Sequence, residues 1–217
     1  MKVNTRSHQL VLVEKWGVSM LTTEELLTKR IAVNRSKVAD PLLLQALDLI
    51  EWAINEQELR EYILNFRNSY GVKQFLQTCD SNLTILRKFV SGSENGSEVD
   101  YEWDYLVEYF TSDGDIIGYT EDDSNEINLN TTYLQRDLPE ICNTLVHEFC
   151  HLVGMGHSFY NPSFVIWKQT APYAIGQYVQ YMIERKMGLD SRPPFFPTAT
   201  WGRRVVYKVR RFFRRLF

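Results

Sequence analysis

His147, Glu148, His151, Gly154 and His157 stand in the order H-E-x-x-H-x-x-G-x-x-H, without a departure over eleven residues. His147 and His151 are four apart, so on a helix both imidazoles leave one face, a turn apart. Two neutral imidazoles at that spacing supply two corners of a tetrahedral zinc site, at about 2.0–2.1 Å each. Glu148 adjoins the first of them, where a carboxylate can take a proton from a metal-activated water without ligating the ion. Gly154 permits the positive φ that ends a helix and reverses the chain. The reversal returns His157 as a third ligand. Three protein ligands with one open position describe a catalytic zinc site rather than a structural one.

H-E-x-x-H alone arises by accident in many helices, as a solvated polar face. With 4 His and 11 Gly in 217 residues, requiring Gly154 and His157 as well thins accidental matches by roughly a thousandfold. Three of the four histidines fall in this window, and only His8 lies elsewhere.

At these residues the chain resembles the metzincin clan of zinc metallopeptidases, whose signature is this extended motif followed by a methionine-containing turn. Ser158, after the third His, is similar to the matrixin branch. The resemblance implies His147, His151 and His157 as metal ligands, Glu148 as general base and acid, and a peptide or protein substrate. The methionine turn departs from the pattern: residues 158–171 contain no Met, while Met182 and Met187 fall inside a helical stretch. Thr170–Tyr173 is the turn-like segment in the corresponding place, which makes this a divergent branch. Some metzincins carry a Tyr here that hydrogen-bonds the transition state. Tyr173 is read either so or as packing at a helix start, the second being the commoner case.

The elements that must position these groups are legible in outline. Asp137-Leu-Pro-Glu140 combines an N-cap, a first-turn proline and a glutamate at N3, so the site helix is expected from about Leu138 to Val153. Ile141, Leu145, Phe149 and Leu152 bury one side of it. Cys150 points away from the histidine face and is assigned to core packing rather than to metal. Residues 101–109 alternate, with Tyr101, Trp103, Tyr105, Val107 and Tyr109 on one face. Asp113-Gly114 then marks a hairpin turn into residues 115–119. Residues 126–130 read as a further short strand, and the acidic cluster 121–125 as a solvated turn rather than a calcium loop. The order of strands and site helix matches the upper lobe of metzincin domains. In that family a sheet edge above the zinc pairs with extended substrate, and here 115–120 or 126–130 would supply it. Residues 158–172 are expected to form the lower wall, and 173–188 a closing helix.

Upstream, Thr22-x-x-Glu25 is a capping box that opens a helix expected to reach about Val33. Asp40-Pro41 opens another, whose stripe over 42–67 reads as two helices broken near Asn55. A third is expected from Val72 to Val90. Ser91–Ser97 is polar and glycine-bearing, the natural boundary. The reading is therefore α+β: an arm (1–21), a helical subdomain (22–97), a metzincin-like peptidase domain (98–190), a Pro-rich linker (191–202) and a basic amphipathic tail (203–217).

A hydrophobic content of 44% is a globular value, and no apolar run is long enough to span a membrane. Residues 1–20 lack the uninterrupted apolar stretch of a secretory signal, and three cysteines suit a reducing compartment. A cytoplasmic protein is expected by default, with non-classical export left open. No cysteine-switch motif precedes the site. The net charge of −3 conceals seven Lys/Arg in 202–217, leaving 17 basic against 27 acidic residues before it. That tail can lie on an anionic membrane surface, fold back on the acidic body, or touch nucleic acid without sequence preference. The rival to a peptidase is a zinc-stabilised binding or structural protein, which has no use for a carboxylate at Glu148.

Overall fold

The computed structural model describes residues 21–121, 124–157 and 168–194. The N-terminal arm, Ser158 and most of the lower wall, Asp122 and Asp123, most of the Pro-rich linker and the basic tail lie outside the described residues.

The N-terminal half is helical where caps and stripes agree. In α1 (Thr23–Thr28) the Glu25 N–H donates to Thr22 Oγ1 at 3.2 Å and the Thr22 N–H to Glu25 Oε2 at 2.7 Å, a closed capping box. Asp40 accepts from the Leu42 and Leu43 N–H groups to open α2 (Pro41–Asn55). The break expected near Asn55 falls at Glu56, whose extended ψ separates α2 from α3 (Gln57–Asn65). Leu43, Leu47, Ile50 and Ile54 of α2 are fully buried, as are Leu59 and Ile63 of α3.

Two helical expectations are corrected. The first helix stops at Thr28, and Ala32–Asn34 form a strand, β1. Ile31 and Val33 alternate inward. The Asn55 amide clips the chain at Ile31, accepting from its N–H and donating to its carbonyl, both at 2.8 Å. Two β-branched residues at period two, tied to a helix end, outweigh the local helical preference. The helix expected from Val72 is shorter: α4 runs Asn82–Ser91, capped by Ser81. Gly71 and Gln77 have positive φ, and Asn68 turns the chain by accepting from the N–H groups of Tyr70 and Val72. Phe75 is buried from this irregular segment by stacking on Phe66, ring centres 4.1 Å apart.

The expected hairpin is also corrected. Residues 101–109 divide at Tyr105 into β2 (Glu102–Asp104) and β3 (Leu106–Phe110), which enter different sheets. β2 pairs parallel with β1, Val33 opposite Trp103. β3 does not pair with β4 (Gly118–Thr120); β5 (Glu126–Asn130) lies between them, parallel to β3 and antiparallel to β4. Burial decides the order, because β5 carries the two fully sheltered apolar residues of this sheet, Ile127 and Leu129. Asn130 then shapes the connection: its amide donates to the Ser112 and Ile116 carbonyls, each at 2.9 Å, and holds the 112–116 loop away from a tight turn. β4 is left as an edge.

Two long helices complete the fold, α5 (Leu138–Leu152) and α6 (Ala171–Lys186). α6 meets α5 so closely that a Cβ on Gly176 would lie 2.4 Å from Asn143 Oδ1. α2 packs on both. One hydrophobic core runs from Leu26 to Ile183, across the 91–97 segment. Helices and small sheets in this arrangement are compatible with an α+β class. No helix among the described residues is long and apolar enough to cross a membrane.

Candidate metal centre

The site is built on α5. Behind it, Phe149 stacks on Trp103 with ring centres 4.0 Å apart, and the Trp103 indole N–H donates to the Phe89 carbonyl at 3.0 Å. Cys150, expected to pack in the core, is buried, and so is Cys142. With that face locked into the core, the opposite face can point only at the cleft.

Gly154 ends the helix with φ +74°. The Met155 N–H returns to the Cys150 carbonyl and the Gly154 N–H to the His151 carbonyl, both at 2.9 Å, which is the Schellman arrangement. Met155 is buried beyond it. The reversal brings His157 back to the helical pair. His147 Nε2 lies 3.2 Å from His151 Nε2 and 3.4 Å from His157 Nε2. Nitrogens bound to zinc at about 2.0–2.1 Å in tetrahedral geometry stand about 3.3–3.4 Å apart, the edge of that tetrahedron. Two edges of the histidine triangle match that value, the candidate ligand atoms all lie within 4.8 Å of one another, and among the described residues these three are the group that could hold a metal.

Electrostatics agree with that use. Burial, then the neighbouring His151 and His157 rings, hold His147 well below the usual histidine range. Burial and His157 push His151 down to about 4, against a bond to the Met155 backbone, and burial also lowers His157. All three lie on the neutral side at pH 7, the form in which an imidazole can bind a metal. Glu148 is 6% exposed, and burial pushes its carboxyl up to about 8. That shift leaves the carboxyl largely protonated at pH 7.

The histidines open into a cleft of about 910 Å³, with the β4 segment along one wall and Tyr173 and Gln177 of α6 along another. Of the two strands considered for the sheet edge, β4 lines the cleft and β5 is interior. Thr170 caps α6 and Tyr173 lies in its first turn, so the turn-like segment is a helix start. The Tyr173 ring stands edge-on to His147 at 4.3 Å and lies 5.2 Å from His157. It packs at the helix start and borders the metal centre at once.

Sequence reasoning passed over two residues that shape the site. Lys88 of α4 donates to the Gly154 carbonyl at 2.9 Å and pairs with Asp80 at 2.8 Å, bracing the turn before His157 from the helical half. Gly176 sets the approach of α6. Only the isolated glycine in a helical pattern signalled it, and Lys88 carried no signal at all. The chain matches no family model, no curated protein and no solved structure.

Proposed function

We propose that the protein is a zinc-dependent metallopeptidase of metzincin-like architecture that hydrolyses peptide bonds. The observation that carries this reading is the spacing of the three imidazole nitrogens, two edges of which fit a tetrahedron around zinc, beside a buried carboxyl and an open cleft. Zinc, when bound, supplies a Lewis acid that polarises the scissile carbonyl and acidifies a water molecule.

The chain's own groups do the rest. Glu148, ionised once a cation is bound beside it, would accept the proton of the attacking water and deliver it to the leaving amine, so one carboxyl serves as base and then acid. Its burial keeps the proton in a water-poor site between those steps. β4 pairs on one side only among the described residues and offers main-chain groups of a sheet edge, against which an extended peptide can add as a strand. Tyr173 fixes the His147 ring by packing on its edge. A purely structural ion site gains nothing from a buried Glu148, which bears a desolvation cost.

Digestion of a peptide library by the zinc-loaded full chain, with and without chelator, tests the reading by mass spectrometry. Chelator-sensitive cleavage is expected. Glu148→Ala should keep its zinc and its circular dichroism while losing on the order of 10²–10⁴-fold in rate. Undiminished cleavage by that variant, or none by the parent chain, would refute the proposal.

A further inference from the structure

Arg136 stands in the same cleft, outside the mechanism above. It immediately precedes the cap of α5. Its Nε donates to the Tyr133 carbonyl at 2.8 Å and one terminal nitrogen to Thr144 Oγ1 at 3.1 Å. Thr144 lies about one turn before His147 on α5, so the guanidinium is tied to the same helix that carries the first imidazole, at a residue about 4.5 Å earlier along its axis. β4 crosses at this point: a Cβ on Gly118 would come within 3.1 Å of the Thr144 methyl carbon.

The two bonds use two of the five N–H groups of a guanidinium. The other three have no protein partner among the described residues, and none of the ion pairs among them includes Arg136. Glu140 acts on it without an ion pair, and Asp115, Glu121 and Lys168 line the same cleft. Burial costs this cation something, shown by a pKa below the ordinary arginine range. A neutral carbonyl, a hydroxyl and the Tyr133 ring, 6.0 Å from the guanidinium carbon, return only part of that cost, and a neutral side chain could make the two hydrogen bonds.

We infer that Arg136 is a specificity residue whose free N–H groups receive a carboxylate of the bound peptide, one or two residues from the bond to be cut. The planar fork matches a carboxylate in bidentate fashion. An Asp or Glu side chain and a chain-terminal carboxylate offer the same chemistry. The inference rests on the peptidase reading for the kind of ligand, and binding measurements separate the two.

The test uses fluorescent dodecapeptide pools that contain Glu, or Gln in its place, each with a free or amidated C-terminus. Equilibrium binding is followed by anisotropy with the zinc-loaded Glu148→Gln chain, and turnover with the zinc-loaded parent chain. The Glu pool, or the free-acid pool, is expected to bind and turn over at least tenfold better than its neutral counterpart. The responding pool tells side-chain from terminal recognition. Arg136→Gln should bring that ratio to about one, and Arg136→Lys should restore part of it. Equal binding of all pools by a chain with Arg136 intact overturns the inference, with no variant needed. So does a preference that survives Arg136→Gln. If binding discriminates while nothing is cleaved, the peptidase reading fails and the carboxylate site stands.

Discussion

The protonation of individual residues makes the metal centre testable without any substrate. Burial keeps the imidazoles neutral at pH 7, with His151 at about 4, while Glu148 at about 8 is mostly protonated there. A dication beside Glu148 favours its charged form and lowers that pKa. Zinc binding at pH 7 should therefore expel a proton from Glu148 and none from the histidines. Calorimetric titration in two buffers of different ionisation enthalpy measures the release. The parent chain is expected to release about one proton more than Glu148→Gln at pH 7, and the excess should vanish towards pH 9. An equal release by both chains at pH 7 would contradict the assigned state of Glu148.

Among the elements, the α5 turn depends on a helix far away in sequence. Lys88 reaches 66 residues along the chain to hold the Gly154 carbonyl, so the N-terminal helices steady the turn that carries His157. Lys88→Met should weaken zinc affinity roughly tenfold, the scale of losing a partner that orients a ligand. The ion pair with Asp80 is partly exposed, so metal-free stability should fall by no more than about 1 kcal/mol. Zinc competition with a chromophoric chelator and urea unfolding of the apo chain separate these effects. Unchanged affinity would remove Lys88 from the site.

The same elements mark what a linear reading can reach. The Thr22–Glu25 capping box, the Asp40 cap, the α2–α3 break, the span of α5 and the positive φ of Gly154 are local, and all were legible, although Asp137 begins α5 without a side-chain cap bond. The spacing of the motif also brought the three histidines together, since one helix and one turn determine it. Strand partners were not legible. β1 looked helical because its reason for being a strand, Trp103 across from Val33, lies 70 residues on. The hairpin failed because alternation names strands without naming neighbours, and Asn130 diverts the chain through bonds to a loop. Lys88 and Arg136 act through single long side chains that leave no periodic trace.

For the whole molecule, the join between the helical half and the sheets contains a titrating group. Glu94 is 3% exposed, and its Oε1 accepts from the Asp104 N–H at 3.1 Å. Burial above all, with Asp104 and Asp100 nearby, pushes it up to about 7. The folded-state pKa thus exceeds the unfolded value of about 4.5, and between the two the native chain binds more protons. Stability should be greatest at low pH within that window, decline as pH rises from about 4.5 to 7, and level off above. Glu94→Gln keeps the acceptor and loses the charge. It should gain about 3 kcal/mol at pH 8 and almost nothing at pH 4.5. Urea midpoints across that range check it, and a parallel pH profile for the two chains would argue against the assignment.

The parallel pairing of β1 with β2 has a consequence during synthesis. Asn34 meets Asp104 across 70 residues, and a ribosome adding about 5–20 residues per second needs roughly 4–14 seconds to cover that gap. Throughout that delay Ile31 and Val33 have left the exit tunnel with no sheet to join. A nascent chain stalled before Trp103 is thus the form most in need of a holdase, and most prone to aggregate without one.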